Sequence, residues 1–334
     1  MKAVVIRRGE SGIQTGFEEV PKPVAGPGEA LVQLQAASLN RRDHYLREGL
    51  YPNIQFPCIP GSDGSGVVEA VGSDADSQWV GQTIFINSAL SYDAATSEYD
   101  VLGMPSDGTL AEYVVVRCDR LHKIPAHLSP EQASAFPLAG ATAYRALYTQ
   151  GQLSAGQDVL ITGIGGGVSQ IAFEFCKATG ANIYVTSGSE EKIAAAIEAG
   201  ARGGFNYRKK FWYRKAKKEG VSFDLIIDGA GGDGFDSLIA VLKPCGRLVS
   251  YGKTAGDPPS LNLHQIFWNQ VSIIGSVLGD DLDFENMVRF VAEHKIIAPI
   301  DSVLPFEECI SGLDLLRDCA QTGKIVIRFS AAAQ

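Results

Sequence analysis

Hydrophobic and polar positions change rhythm along the chain. Up to about residue 124, apolar residues alternate with polar ones or come in short runs cut by Gly and Pro. Strands are therefore expected at 1–6, 17–20, 30–36, 67–72, 80–86, 110–116 and 121–124. Asn40 stands where it can cap a short helix that Gly49 ends. Residues 87–108 are polar and read as a loop. From Ser129 the pattern switches. Ser129-Pro130-Glu131 starts a helix with Pro at its first position, and a second helix spans about 139–149. Short strands at 159–162, 182–186, 204–206, 223–227, 247–251 and 271–277 then alternate mostly with helical stretches. Strands apolar on both faces belong to a parallel sheet covered by helices. Helices at about 283–293 and 306–316 and a strand at 324–329 close the chain. The expected fold class is α/β: a β-rich domain from 1–126 and 280–334, and a doubly wound parallel-sheet domain from 127–279.

The most informative stretch is Asp158-Val159-Leu160-Ile161-Thr162-Gly163-Ile164-Gly165-Gly166-Gly167-Val168-Ser169-Gln170. A buried strand, a glycine turn and a helix in that order open a dinucleotide-binding βαβ unit. Glycine lets the backbone approach a pyrophosphate, and the helix N-terminus offers free N–H groups to the anion. Gly165, Gly166, Gly167 and Val168 are the expected contacts. Ser169 is small enough for close packing of helix on strand.

Bulk properties narrow the function. Of the 334 residues, 45% are hydrophobic and 20% charged, as in an ordinary globular protein. The net charge of −9 disfavours nucleic acid and anionic membrane as partners. No apolar run approaches the ~20 residues of a membrane span. The six cysteines are scattered without a C-x-x-C pair and read as reduced, mostly buried thiols of a cytoplasmic protein. The basic, aromatic run 208–218 reads as a surface helix with Trp212 turned inward. The five histidines show no ligand spacing.

Six motifs in order carry a family resemblance. They are Asn40-Arg41-Arg42-Asp43-His44-Tyr45 with Gly49-Leu50-Tyr51-Pro52, Pro60-Gly61-Ser62-Asp63-Gly64-Ser65-Gly66, Ala139-Gly140-Ala141-Thr142-Ala143-Tyr144, the glycine turn, Gly246-Arg247-Leu248-Val249-Ser250-Tyr251-Gly252, and Gly323-Lys324-Ile325-Val326. Over nearly its whole length the chain resembles the medium-chain dehydrogenase/reductase superfamily, most closely its zinc-free quinone oxidoreductase branch. The resemblance implies a GroES-like catalytic domain and a Rossmann NADP(H)-binding domain. Zinc-dependent relatives carry Cys, His and Cys where this chain has Asn40, Ser62 and Leu138, and a structural zinc lobe of four cysteines would fall near 87–108, which has none. Catalytic zinc needs about three such ligands, so no metal is expected.

The second nucleotide strand ends in Ser187-Gly188-Ser189, without the carboxylate that accepts from a ribose 2′-OH in NAD sites. Lys192 and Tyr207 match the residues that hold the 2′-phosphate in NADPH-dependent quinone reductases, with Ser187 as a third donor. NADPH is the expected cofactor. Thr142 is expected at the nicotinamide, and Gly252, Val277 and Leu278 along the cofactor. Asn40, Tyr45 and Tyr51 are the candidate catalytic residues, the phenols as donors to a developing oxyanion. Asp43 is expected to bind turn N–H groups or an arginine. Arg42 replaces the hydroxyl of the relatives' proton relay. The expected activity is hydride transfer from NADPH to quinones or α,β-unsaturated carbonyls. An enoyl-thioester reductase, or a catalytically weak NADPH-binding sensor or structural protein, remains the alternative. The strand at 271–277 should lie at a sheet edge and pair across a two-fold axis, giving a homodimer.

Overall fold

A computed structural model describes residues 1–10, 12–93 and 98–330. The chain divides into two compact units, Met1–Ala139 with Asp280–Gln334, and Gly140–Gly279.

In the first unit a seven-stranded sheet is built around Glu29–Ser38. This strand pairs antiparallel with Asp63–Val71 along one edge, and with Tyr113–Arg117 and then Lys324–Arg328 along the other. Its buried pattern fits a central strand. Val32, Leu34, Ile84, Ile86, Leu313, Ile325 and Ile327 belong to one core cluster. The register sets Ser38 beside Asp63 on one side and beside Val326 on the other. Residues that meet at the candidate site thus come from three adjacent strands.

Three expectations for this unit are corrected. The polar stretch 87–108 contains a hairpin, Ala89–Asp93 with Glu98–Val101, in which Tyr92 and Tyr99 stack at 4.4 Å. The intervening residues 94–97 lie outside the described residues. A strand at Ile300–Pro305 was not expected, because its alternation is half-polar. It pairs parallel with Lys324–Arg328 at the sheet's edge. The first unit also runs past residue 126 to Ala139, because the helix Pro130–Ser134 and the start of the next one are tied to the sheet. Ser65 Oγ donates to Pro130 O, Ser38 Oγ to Ser134 O, and Leu138 N to the Asp63 carboxylate.

The second unit is a six-stranded parallel sheet in the order Gly203–Asn206, Asn182–Ser187, Asp158–Ile161, Phe223–Asp228, Leu242–Ser250, Ser272–Gly275. In chain order these strands lie 3-2-1-4-5-6, the doubly wound arrangement whose switch point lies between the first and fourth. The first helix, Gly167–Thr179, buries Ile171, Ala172, Phe175 and Cys176 and ends at Gly180, whose φ of 79° closes the helix in the left-handed form. The expected helix at 139–149 is an α-helix over Pro137–Tyr144 that continues as a π-helical turn over Arg145–Gln150. The helix Leu263–Trp268, not expected from the pattern, caps itself with Asn262 Oδ1 on Gln265 N. Trp212 is buried against Phe205, as its place in a basic surface helix required. All six cysteines are free; Cys58, Cys118, Cys176 and Cys309 are buried. No helix among the described residues is long and apolar enough to cross a membrane.

Candidate active site

The first unit gathers charged and polar side chains at the C-terminal end of Glu29–Ser38. The helix Arg41–Arg47 begins just beyond it, with Asn40 at its N-cap. Asp43, in the first turn, accepts from Asn40 N at 2.7 Å and from Gly61 N at 3.1 Å, the turn-binding role expected of it. Complete burial pushes its carboxyl up to about 6, against the lowering effect of the Arg42 charge and of the Asn40 hydrogen bond.

Asp63 is fully buried and faces four donors, the single Ser38 hydroxyl proton being shared with Ser134 O. Leu138 N reaches Oδ1 at 2.8 Å, while Ser38 Oγ at 3.0 Å, Asn40 Nδ2 at 2.8 Å and Lys324 Nζ at 2.9 Å reach Oδ2. Lys324, only 2% exposed, also donates to Asn40 Oδ1 at 2.7 Å and Leu39 O at 3.0 Å. The Asn40 amide is therefore held at both ends, with one N–H left over. Its orientation is set by an ion pair rather than by helix capping alone. Lys324 was visible in the sequence only as part of a closing Gly-Lys-Ile-Val motif. Its partner lies 261 residues away, and no local signal connects them.

Arg42 is also buried. Its guanidinium donates to Ser62 Oγ, to Leu102 O at 2.6 Å and to Met104 O at 3.3 Å, and lies 5.2 Å from the centre of the Tyr51 ring. Tyr45 and Tyr51 are half-buried, and neither phenol oxygen is hydrogen-bonded to another described residue. The structure thus joins Asn40 to Lys324 and Asp63, and Tyr51 to Arg42, while Tyr45 packs beside His44. No group of three His, Cys, Asp or Glu side chains among the described residues is placed to hold a metal ion.

The second unit presents the nucleotide corner. After the Asp158–Ile161 strand the chain turns at Gly163, whose φ of 59° is left-handed. Gly163, absent from the expected contacts, is the residue of the turn whose backbone needs glycine. None of Gly165, Gly166 or Gly167 has a positive φ. Their value is the absence of a side chain at the helix N-terminus, where Gly166 is the N-cap. Ser169 is buried and donates to Thr162 O at 2.7 Å, locking helix to strand as its small size suggested. Its Oγ also lies 3.2 Å from Oη of the half-buried Tyr251, whose phenol burial pushes up to about 12. Asp228, which sequence reasoning missed, ends the fourth strand. It accepts from Thr162 Oγ1 at 2.7 Å and Gly231 N at 2.9 Å, bracing the two strands of the switch point. Thr142 and Leu278 are buried, and Val277 is half exposed. Gly252 lies against Gly229, leaving 3.0 Å between a would-be Cβ and Gly229 O.

At the end of the second strand Ser187 is buried and Gly188 is covered by the next loop. A side chain at Gly188 would meet Arg208 Nε at 2.7 Å and Tyr207 Oη at 2.9 Å. Tyr207 is exposed, and no described residue pairs with the Arg208 guanidinium. Lys192 sits one turn into the helix Glu190–Glu198, its N–H on Ser189 Oγ at 3.2 Å. Glu190, an unfavourable neighbour for a phosphate, is neutralised by Lys209 at 2.7 Å, whose hydrogen bond holds its carboxyl below the ordinary value. Arg208, which covers Gly188 beside Tyr207, was counted in the sequence with the basic run it begins.

A GroES-like β unit and a doubly wound unit, with an oriented polar cluster in the first and a glycine turn at a helix N-terminus in the second, are the architecture of a two-domain nicotinamide-dependent oxidoreductase. Residues 26–126 match the alcohol dehydrogenase GroES-like domain and residues 167–293 the zinc-binding dehydrogenase family. A zinc-type alcohol dehydrogenase-like protein, YogA, of Leptosphaeria maculans is 35% identical over 325 residues, covering 91% of this chain and 90% of its own. An acryloyl-coenzyme A reductase of Sulfurisphaera tokodaii is 29% identical over 343 residues, covering 98% and 100%. The crystal structure of an NAD-dependent alcohol dehydrogenase superposes with a TM-score of 0.89 at 33% identity, covering 99% and 100%. The chain belongs to the medium-chain dehydrogenase/reductase superfamily.

Proposed function

We propose that this chain is an NADPH-dependent, zinc-free reductase of quinones or α,β-unsaturated carbonyls. The observation that carries the reading is the buried Lys324 ammonium, which occupies Asn40 Oδ1 and Asp63 Oδ2. Arg42 occupies Ser62 Oγ in the same way. Two of the three positions at which zinc relatives carry ligands are therefore committed to cations, and the third is Leu138. This donor set does not fit zinc. Without a Lewis acid, an acceptor must take hydride with help only from hydrogen bonds, which conjugated carbonyls do because the charge spreads to oxygen.

NADPH fits the nucleotide corner. The second strand lacks a carboxylate, Glu190 is neutralised, and Lys192, Tyr207, Arg208 and Ser187 offer charge and hydrogen bonds for a 2′-phosphate. Bound there, it supplies a hydride. Asn40, fixed by Lys324 and Asp63, has an N–H free to orient the acceptor, and the unpartnered phenols of Tyr45 and Tyr51 are available to donate a proton to its oxygen. The acryloyl-coenzyme A reductase relative favours enoyl thioesters as one form of acceptor.

Steady-state NADPH oxidation with a panel of quinones, enones, enoyl thioesters and simple ketones tests this. Turnover is expected with the conjugated acceptors alone, unchanged by chelator. One zinc per chain in untagged protein, together with chelator-sensitive alcohol oxidation, would sink the reading. Tight NADPH binding with no turnover on any acceptor would favour a sensor.

The second unit's edge strand Ser272–Gly275 is paired on one side only. Leu263, Phe267, Trp268, Ile273 and Val277 nearby are exposed. We propose that this edge meets its copy in a homodimer. Trp268→Asp should shift the protein from dimer to monomer in light scattering after gel filtration; a monomeric wild type would contradict the proposal.

A further inference from the structure

Arg42 is a buried cation without a salt bridge. It is 9% exposed, and no carboxylate oxygen bonds to it among the described residues. Asp43, its neighbour in sequence, has both oxygens committed to Asn40 N and Gly61 N. The guanidinium is pinned instead by three neutral acceptors, Ser62 Oγ, Leu102 O and Met104 O. Its Nε–H is buried and has no acceptor. Taking a charge out of water is costly, and the carbonyl dipoles with the nearby Asp43 carboxyl offset only part of that cost. A missing hydrogen bond at a charged donor adds to it. The same guanidinium lies over the Tyr51 ring, whose phenol oxygen is also unpartnered. A fixed positive charge and a free phenol stand together, the enclosed Nε–H adds to the positive field, and charge and phenol are answered by one ligand: an oxyanion.

We infer that Arg42 is the charge that stabilises the enolate or hydroquinone oxyanion formed on the substrate. The inference rests on the reductase reading above. When hydride reaches the β-carbon of an enone, the C=C electron pair moves toward the carbonyl and leaves the negative charge on oxygen. The Arg42 guanidinium holds that charge, and a proton from Tyr51 or from water then completes the reduced product. A preorganised cation of this kind acts strongly, because it needs no reorganisation as the charge develops. The residue thereby supplies electrophilic help that Asn40 and the phenols, being neutral, do not.

Two measurements test the assignment. The first needs no turnover. A hydroxynaphthoquinone whose hydroxyl is ionised at neutral pH imitates the oxyanion, and its methoxy analogue is the neutral control; both are titrated by visible absorbance. Wild-type protein should bind the ionised compound at least about tenfold more tightly than the neutral one, and Arg42→Gln should abolish the difference while binding the methoxy compound equally well. Equal binding of both compounds by the wild type would overturn the inference, whether or not the variant folds. The second is kinetic. Arg42→Gln should lower kcat about 10²-fold, the usual loss on removing an oxyanion donor, with KM changed by less than about threefold. Arg42→Lys should recover about a tenth of the wild-type kcat, and guanidinium ion should partly rescue Arg42→Ala. A purely structural pin predicts a lower melting temperature with kcat intact, which would overturn the assignment. A wild type inactive on every conjugated acceptor, yet discriminating the two naphthoquinones, would refute the reductase reading and leave the anion site standing.

Discussion

Lys324→Met is expected to destabilise the protein by about 3–5 kcal/mol, the cost of stranding one member of a buried ion pair. Lys324 and Asp63 are 2% and 0% exposed, so water has no access to make good the loss. Asp63 would keep its three neutral donors from Ser38, Asn40 and Leu138, but not the compensating charge. The pair also bridges strands on either side of Glu29–Ser38, so the effect should reach global unfolding rather than a local fraying. Urea denaturation gives the measurement, as a lowered midpoint at constant slope. The double variant Lys324→Met/Asp63→Asn should recover part of the loss, because both charges leave together while the new amide nitrogen meets a donor in place of an acceptor. A loss under about 1 kcal/mol for the single variant would mean that the ion pair is not buried as described. The same variant frees Asn40 Oδ1, and catalysis should weaken with it.

The second large effect belongs to the nucleotide corner. Lys192→Ala combined with Arg208→Ala is expected to raise the KM for NADPH about 10²-fold and to leave the KM for NADH within about threefold. Hydrogen bonds to charged groups contribute about 1.5–3 kcal/mol each. Two on one phosphate do not add fully. Arg208 Nε and Tyr207 Oη converge over Gly188, at the end of the strand that carries Ser187, where a 2′-phosphate would be met. Gly188 itself has to be small, since a Cβ would press on both groups. An unchanged NADPH KM in the double variant would remove the NADPH assignment and leave NAD as the cofactor.

Much of this arrangement was legible along the chain. The change from a two-residue rhythm to alternating strand and helix located the β-rich part and the nucleotide-binding part. The glycine turn falls between the first strand of the parallel sheet and its helix, as expected. Trp212 faces inward, as expected for the surface helix of the basic run. These features are short-range: they depend on side-chain periodicity, backbone freedom at Gly and Pro, and residue types at single positions. Errors fell where burial from elsewhere decided the outcome. The hairpin within 87–108 was hidden by its polar residues, and the edge strand Ile300–Pro305 by its half-exposed face.

The sequence by itself determined the class of fold and the order of the two units. Only the tertiary structure decided which distant groups the buried charges meet. Lys324 reaches Asp63 across 261 positions, and Arg42 takes acceptors 20, 60 and 62 residues away. Arg208, one residue beyond Tyr207, joins the nucleotide corner because its side chain folds back over Gly188. The reason is physical. A buried charge is tolerated only where its partners are assembled around it, and which partners those are depends on strand register and loop packing that no local pattern encodes. The glycine turn announced a nucleotide; the buried cations of the first unit became visible only when distant segments were brought together.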